Sequence, residues 1–482
     1  MKLKKLFKDI KNIEIKGSKD IEISGIAIDS RAVFPNSLFI AKKGNKFDGS
    51  KFIYDAKNAG ASAILTDIFD PFLNIAQIIH KNPAEIEADI SARYYENPSK
   101  DLFSIAITGT SGKTTTSYLI KHVFDDNEKS LGVIGSLGHF TGEKLILSDL
   151  GTPQSADLQK YLKEMVVNKL DSFCMEATSI GIDQNRIKNI DFDVAIFTNL
   201  THEHLDYHKT FSIYKEAKKK LFSNLSNRSF AILNIDDENS LDMVEKSVSK
   251  IITYSCKKQA DFEAKGICFS IEGSYFTLVH NKKSYLVSAK LIGKFNVYNI
   301  LAAVACATLK KIPIENIIKS INCFDSISGR LEKINIKKPF HVFIDYAHKE
   351  DALKNVLETL KEVKKSNVIT VFGCGGQRDT FKRPKMAKVA QDLSDITIVT
   401  SDNPRTEDPL KIIDEIKVGF SNNYNYFSEP DRYKAIEMAL NIAKEDDIVL
   451  IAGKGHETYQ ILKDKTIEFD DKKVCIEIAK KL

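Results

Sequence analysis

The stretch Ser104-Ile-Ala-Ile-Thr-Gly-Thr-Ser-Gly-Lys-Thr-Thr-Thr-Ser117 leaves few choices for the chain around it. Ser104 to Ile107 has the character of a buried strand, and Gly109-Thr110-Ser111-Gly112-Lys113-Thr114-Thr115 follows at once. A helical pattern then begins, with apolar positions at Tyr118, Leu119, Val123 and Phe124. A strand, a glycine turn and a helix start together set backbone N–H groups around a phosphate. Gly109 and Gly112 let the chain turn without Cβ clashes. Lys113 would bring positive charge to the β- and γ-phosphates, and the Thr114 hydroxyl would sit on Mg2+. A glycine-rich turn with a surface lysine is the bland alternative, and the flanking strand and helix argue against it.

The 482 residues allow about three domains at ~150 residues each. With 43% hydrophobic and 28% charged residues the composition is that of an ordinary globular protein. A net charge of +5, spread along the chain, gives no argument for nucleic acid. Seven scattered cysteines without a Cys-x-x-Cys pair suggest reduced thiols in a cytoplasmic protein. The lysine-rich start lacks an uninterrupted apolar core, so no signal peptide is expected. No run approaches the ~20 apolar residues of a membrane span.

Residues 1–98 read as a small α/β domain. Ile21 to Ile28 and Ser37 to Ala41 are expected strands, Phe52 to Ala59 a helix and Ala63 to Thr66 a further strand. Asn97-Pro-Ser-Lys100 reads as a linker. Residues 99–328 form the expected nucleotide domain, with strands at Leu131–Ile134, Ser172–Met175, Val194–Phe197 and Phe230–Leu233 between helical segments. That alternation argues for a mostly parallel sheet whose strand ends line the nucleotide crevice. Residues 329–482, after Gly329-Arg330-Leu-Glu332, restart the alternation as a second doubly wound domain without its own phosphate loop.

Several strand ends carry chemistry. Glu176 ends an apolar run and could hold Mg2+ opposite Thr114; a solvent-facing acid is the alternative. His202, His204 and His208 are three of ten histidines within seven residues. Zinc is tempting, but no cysteine lies nearby, and a polar loop is the default. Lys218 shares a helix face with Tyr214, Leu221 and Phe222, while Lys219 and Lys220 lie off that stripe. Desolvation could keep its amine neutral and able to form a carbamate with CO2; a snorkelling lysine is the alternative. Arg378, the tetrapeptide Asp402-Asn403-Pro404-Arg405, and Gly453 to Glu457 follow strands of the last domain. Two arginines and a glutamate there suit a zwitterion, with surface ion pairing as the dull reading.

Taken together, these ordered motifs resemble the Mur ligase family over nearly the whole chain. The resemblance implies a small N-terminal UDP-sugar binder, a central ATPase domain and a C-terminal Rossmann-like domain for an incoming amino acid. It implies that Gly109 to Thr115 bind ATP, that Thr114, Glu176, His204 and a carbamylated Lys218 hold Mg2+, and that Lys113, Lys218 and His204 are catalytic. By the same likeness Asn296, Asn299, Arg330 and Asp345 reach the nucleotide. Ile28 and Ser30 match the uridine pattern; Thr152, Thr178, Gln184 and Arg186 match sugar-peptide positions. Arg378, Asp402, Asn403, Pro404, Arg405, Gly453 and Glu457 match the amino-acid pocket. The expected activity is an ATP-dependent, ADP-forming ligation of an amino acid to the D-Glu of UDP-MurNAc-L-Ala-D-Glu, through an acyl phosphate, in peptidoglycan synthesis. The expected enzyme is a cytoplasmic monomer. Arg405 favours meso-diaminopimelate, whose second carboxylate it could take bidentately, over lysine. A lysine-adding or folylpolyglutamate synthase-like ligase is the alternative within the class. A nucleotide-driven switch is the alternative outside it, without an Asn-Lys-x-Asp tetrapeptide to support it. Gly151, Ile180 and Glu350 depart from the family's usual threonine, histidine and proline.

Overall fold

The computed structural model describes residues 1–44, 48–148, 150–201, 203 and 205–482, with the side chains of Leu205 and Asp206 left aside. The chain forms two compact units, Met1–Phe262 with Leu301–Ile314, and Glu263–Ile300 with Glu315–Leu482.

The first unit opens with a sheet whose strands are ordered Ile13–Lys16, Ala76–His80, Ala63–Thr66, Ser37–Ile40 and Gly25–Ala27. Only the edge strand Ile13–Lys16 runs antiparallel to its neighbour. Leu38, Ile40, Leu65 and Ile78 pack on one side with Leu3, Leu6 and Ile90. The expected strand at Ile21–Ile28 is shorter than the pattern implies. Its first half pairs with the chain start, through Leu3 N–H on Ile21 O (2.9 Å) and Ile23 N–H on Met1 O (2.8 Å). The expected linker also differs: Pro98 and Ser99 are buried in a 3-10 turn, Pro98–Asp101, packed against the helix Ser155–Val167.

The same unit holds the sheet built around Phe103–Thr108. Its parallel strands are ordered Lys250–Ser255, Phe230–Asn234, Val194–Phe197, Phe103–Thr108, Ser172–Glu176 and Leu131–Gly135. Gly138–Phe140 and Leu145–Ile146 extend it antiparallel. The central strands are buried over their whole length, so they read as continuous apolar runs rather than alternating ones. One face is filled by Leu158, Leu162, Phe173, Phe197, Tyr214 and Phe222.

In the second unit the sheet order is Glu332–Ile334, His341–Asp345, Ile448–Ala452, Val368–Phe372, Ile396–Val399 and Tyr426–Ser428. All neighbours are parallel except the first pair. Cores lie on both faces, Leu353, Leu357 and Met386 on one, Ile436, Leu440 and Ile478 on the other. This is the expected doubly wound sheet. A hairpin that periodicity did not suggest, Gly273–His280 with Lys283–Ala289, also belongs to this unit. Its two-residue turn, Asn281 (φ 49°) and Lys282 (φ 63°), has the left-handed geometry that matches strand twist.

Candidate active site

In the first unit the phosphate-loop segment lies between the strand Phe103–Thr108 and the helix Lys113–Asp126. Gly112, at φ 87°, takes the left-handed turn that starts the helix. A Cβ on Gly109 would stand 1.9 Å from Thr198 Oγ1, so the loop can lie against the next strand end only as glycine. Asn199 holds the loop: Ser111 N–H donates to its Oδ1 (2.9 Å) and Thr110 N–H to its carbonyl (2.9 Å).

Glu176 is the last residue of its strand and 1% exposed, so it does not face solvent. Its Oε1 accepts from Thr114 Oγ1 (2.8 Å) and from Ser136 N–H (3.0 Å), and its Oε2 accepts from Ser136 Oγ (2.9 Å). A hydroxyl and a carboxylate converging in a buried site form a hard-oxygen donor set of the kind Mg2+ takes. Among the described residues no group of three or more His, Cys, Asp or Glu could hold a metal. His202 and His204 lie outside the described residues. The third histidine of that run, His208, is buried with Nε2 3.0 Å from Ser179 Oγ, so it serves the core.

Lys218 is 1% exposed on the helix Phe211–Ser223. Its Nζ lies 4.8 Å from the centre of the Tyr214 ring and donates to Gly109 O (2.9 Å). Lys113 Nζ donates to the same carbonyl (2.8 Å) and to Thr110 O (2.7 Å). Burial, reinforced by the nearby Lys113 charge, lowers the Lys218 pKa well below its ordinary value. That shift favours the neutral, nucleophilic form of the amine. Lys219 is also buried, against expectation, because Glu245 neutralises its amine at 2.8 Å.

Thr152, Thr178, Gln184 and Arg186 form one network. Thr152 Oγ1 donates to Glu176 O (2.7 Å) and meets Thr178 Oγ1 at 2.8 Å. Arg186 Nη1 donates to Thr152 O (2.7 Å), while its Nη2 donates to Gln184 Oε1 (2.7 Å). Two of the departures noted above fall beside this network: a Cβ on Gly151 would meet Ser136 Oγ at 3.0 Å, and Ile180 O accepts from Gln184 N–H (2.9 Å). Ile28 and Ser30 are half-buried beyond the strand Gly25–Ala27, on either side of Asp29, whose carboxylate binds the exposed Arg31.

In the second unit Arg330 and Asp345 flank one turn. Asp345 Oδ2 accepts from Leu331 N–H (2.6 Å) and Oδ1 from Ala347 N–H (2.7 Å). Burial raises its pKa against the opposing pull of Arg330. Tyr346 lies between the Arg330 guanidinium (4.9 Å) and the His456 ring (5.1 Å). Asn296 and Asn299 are buried on the helix that begins at Lys294. Asn296 Nδ2 donates to Ile292 O (2.9 Å) and Asn299 Nδ2 to Asn296 Oδ1 (3.1 Å).

The residues expected for the amino-acid pocket gather at three neighbouring strand ends. Asn403 Nδ2 donates to Glu457 Oε2 (2.8 Å), and the Asp402 carboxylate lies against Gly453, where a Cβ would sit 2.7 Å from Oδ2. Arg405 has a left-handed backbone, φ 54°, unusual for a branchless but bulky side chain. Its N–H donates to Ile461 O (3.0 Å), and its Nη1 donates to Gly376 O (2.9 Å) and Asn403 O (3.3 Å). Gly376 packs so closely on Pro404 that a Cβ would stand 2.0 Å from the Pro404 carbonyl oxygen. Arg378 is exposed at the tip of the adjoining loop.

Groups that the motifs did not single out hold this rim. Lys454 is fully buried and donates to Glu457 Oε2 (3.1 Å) and Asn403 Oδ1 (3.3 Å). Arg432 pairs with Asp471, both side chains fully buried, and also donates to Ala452 O (3.1 Å) and Ser401 O (3.3 Å). Arg383 bridges Glu407 (2.8 Å) and Glu415 (2.6 Å). A lysine between two glycines was a visible signal for Lys454; Arg432 and Asp471, 39 residues apart, gave none.

Family models agree with this layout. Residues 22–100 match the Mur ligase family catalytic domain, 107–307 the Mur ligase middle domain, and 329–455 the Mur ligase glutamate ligase domain. The chain belongs to the Mur ligase family, a family of ligases. A UDP-N-acetylmuramoyl-L-alanyl-D-glutamate--2,6-diaminopimelate ligase from Chlamydia abortus is 43% identical over 479 residues, 99% of each chain. A solved structure of an enzyme of that name is 31% identical, with a TM-score of 0.70, over 100% of this chain and 99% of the other. The fold also matches a MurF ligase from Thermotoga maritima in complex with ADP, at 18% identity and a TM-score of 0.66, over 95% of this chain and 96% of that one.

Proposed function

We propose that the chain joins meso-diaminopimelate to the D-Glu γ-carboxylate of UDP-MurNAc-L-Ala-D-Glu at the expense of ATP, as a cytoplasmic step of peptidoglycan synthesis. The observation that carries the choice of amino acid is Arg405. Its backbone is held in a strained conformation and its guanidinium lies along the rim formed by Gly376 and Asn403, beside the Asn403–Glu457 pair. An arginine fork suits a second carboxylate, and a glutamate suits an ammonium group.

The D-Glu carboxylate takes the γ-phosphoryl group of ATP to give an acyl phosphate and ADP. The diaminopimelate amine then attacks the acyl carbonyl and phosphate leaves. Lys113, at the start of its helix, stabilises charge on the transferred group, a matter of positioning and electrostatics. Thr114 and Glu176, with His204, would hold Mg2+, and a carbamate on Lys218 would supply a further oxygen ligand. Bound there, Mg2+ would neutralise charge on the phosphates. Thr152, Thr178, Gln184 and Arg186 take the sugar-peptide, with Ile28 and Ser30 on the uridine. Asn296, Asn299, Arg330 and Asp345 serve the nucleotide, and Arg378, Asp402, Pro404 and Gly453 complete the amino-acid pocket. In this reading residues 1–98, 99–328 and 329–482 bind the UDP-sugar, ATP and the amino acid respectively, and the enzyme acts as a monomer.

Phosphate release from ATP, UDP-MurNAc-L-Ala-D-Glu and one amino acid at a time tests the reading. Diaminopimelate should support turnover and lysine should not. Turnover with lysine alone refutes the Arg405 argument, and hydrolysis indifferent to both substrates refutes the ligase.

A further inference from the structure

A buried charge pair joins the N-terminal sheet region to the segment that carries Thr152. Lys42 follows the strand Ser37–Ile40, and its backbone carbonyl accepts from Gly49 N–H (2.9 Å). Its amine binds the Glu87 carboxylate, on the helix Pro83–Tyr94, and also donates to Gln154 Oε1 (3.0 Å). The Glu87 and Lys42 side chains are only 4% and 18% exposed. Gln154 is the residue before the helix Ser155–Val167, and its own side chain does not cap that helix. Glu87 Oε1 faces the helix start instead, 3.4 Å from Ala156 N–H, supplying from elsewhere in the chain the acceptor that an N-cap side chain usually provides. Ser155 Oγ donates to Arg186 O (3.1 Å).

The segment Thr152–Ala156 is therefore gripped from two sides. Glu176 O, Thr178 and Arg186 hold its start, all through Thr152. Lys42 and Glu87 hold its end. The ordinary surface ion pair does not account for this arrangement, because the lysine divides its donors between the carboxylate and Gln154, and the carboxylate divides its acceptors between the lysine and a helix N–H. A polar network linked in this way favours one geometry, since breaking it leaves the buried Glu87 carboxylate or the buried Ala156 N–H short of a partner.

We propose that Lys42, Glu87 and Gln154 are positioning residues that set Thr152 and Arg186 for the sugar-peptide substrate, a role that rests on the substrate reading above. They touch no reacting atom. Their effect falls on capture of the UDP-sugar dipeptide and leaves ATP and the amino acid alone.

The test uses the full chain with Gln154→Leu, which removes the link and keeps the charge pair, and Glu87→Gln, which leaves Lys42 without its counter-charge. Amide hydrogen exchange across residues 152–158 should accelerate in both, and KM for UDP-MurNAc-L-Ala-D-Glu should rise about tenfold. kcat, and KM for ATP and diaminopimelate, should stay within about twofold of the parent. Lys42→Arg, which keeps a cation within reach of both partners, should retain parental KM values. Unchanged exchange in Gln154→Leu overturns the proposal, as does a rise shared equally by all three KM values. Should Glu87→Gln fail to fold, Gln154→Leu decides alone. A parent enzyme that rejects UDP-MurNAc-L-Ala-D-Glu overturns the function instead, and the exchange experiment still judges the grip on the segment.

Discussion

Replacing Gly376 with alanine tests how tightly the rim proposed for the amino acid depends on backbone contact. The new Cβ would lie 2.0 Å from Pro404 O and 2.8 Å from Pro404 C. A carbon and a carbonyl oxygen approach to about 3.3 Å at closest, so the two turns must part by roughly 1.3 Å. Gly376 N–H donates to Asn403 O at 2.9 Å, and Arg405 Nη1 donates to Gly376 O at 2.9 Å. Stretched by that amount, neither remains a hydrogen bond. At about 1 kcal/mol each, plus strain, the loss of stability should be about 2–4 kcal/mol. A displacement near 1 Å at a positioning loop costs about a hundredfold in rate. The assay is phosphate release with diaminopimelate varied, alongside urea unfolding. Gly375→Ala is the comparison for stability: its Cβ would press only on Arg405 Nη1, at 3.0 Å, a side-chain end that can move, so urea unfolding should change little. If Gly376→Ala keeps kcat/KM for diaminopimelate within twofold, the rim is not set by this contact and the argument for Arg405 loses its base.

Arg432→Met should cost about 3–5 kcal/mol in urea unfolding, because it strands Asp471 as a buried unpaired charge, while Arg432→Met with Asp471→Leu should recover most of that. His348 is held neutral, its pKa lowered to about 4 by burial and by Lys382 and Lys349. The unfolded chain takes this proton near pH 6.5, so stability present above that pH should fall by at most about 3 kcal/mol between pH 6.5 and 4. His348→Gln should flatten that part of the pH–stability curve. Lys218→Ala should reduce phosphate release by about a hundredfold or more, and intact mass measured with added CO2 should show one carbamate on the parent chain and none on the variant.

The sheets were legible because their strands are buried on both faces and read as apolar runs, each ended by a polar or glycine-rich loop. The phosphate-loop segment, Glu176 and Lys218 were legible for the same reason: a carboxylate or an amine placed on an apolar stripe has to find an internal partner. The hairpin Gly273–His280 with Lys283–Ala289 was not, because Asn-Lys is a weaker turn signal than Asn-Gly, and its strands are only partly buried. The start of the chain masked the first half of the Ile21–Ile28 strand by pairing with it. Lys454 stands visibly between two glycines, but its contact with Asn403, 51 residues away, has no signal in the spacing. Arg432 with Asp471, and Lys42 with Glu87, are partners only in three dimensions, and no spacing along the chain announces them.

The crowding at Gly373 and Gly376, against the main chain of Thr400 and Pro404, has a consequence for resistance to inhibitors. Where main chain meets main chain with no room for a methyl group, mutation has few ways to reshape the surface without dismantling it. A compound that recognises the carbonyl and amide edges there, rather than the exposed tip at Arg378, would leave few viable routes of escape.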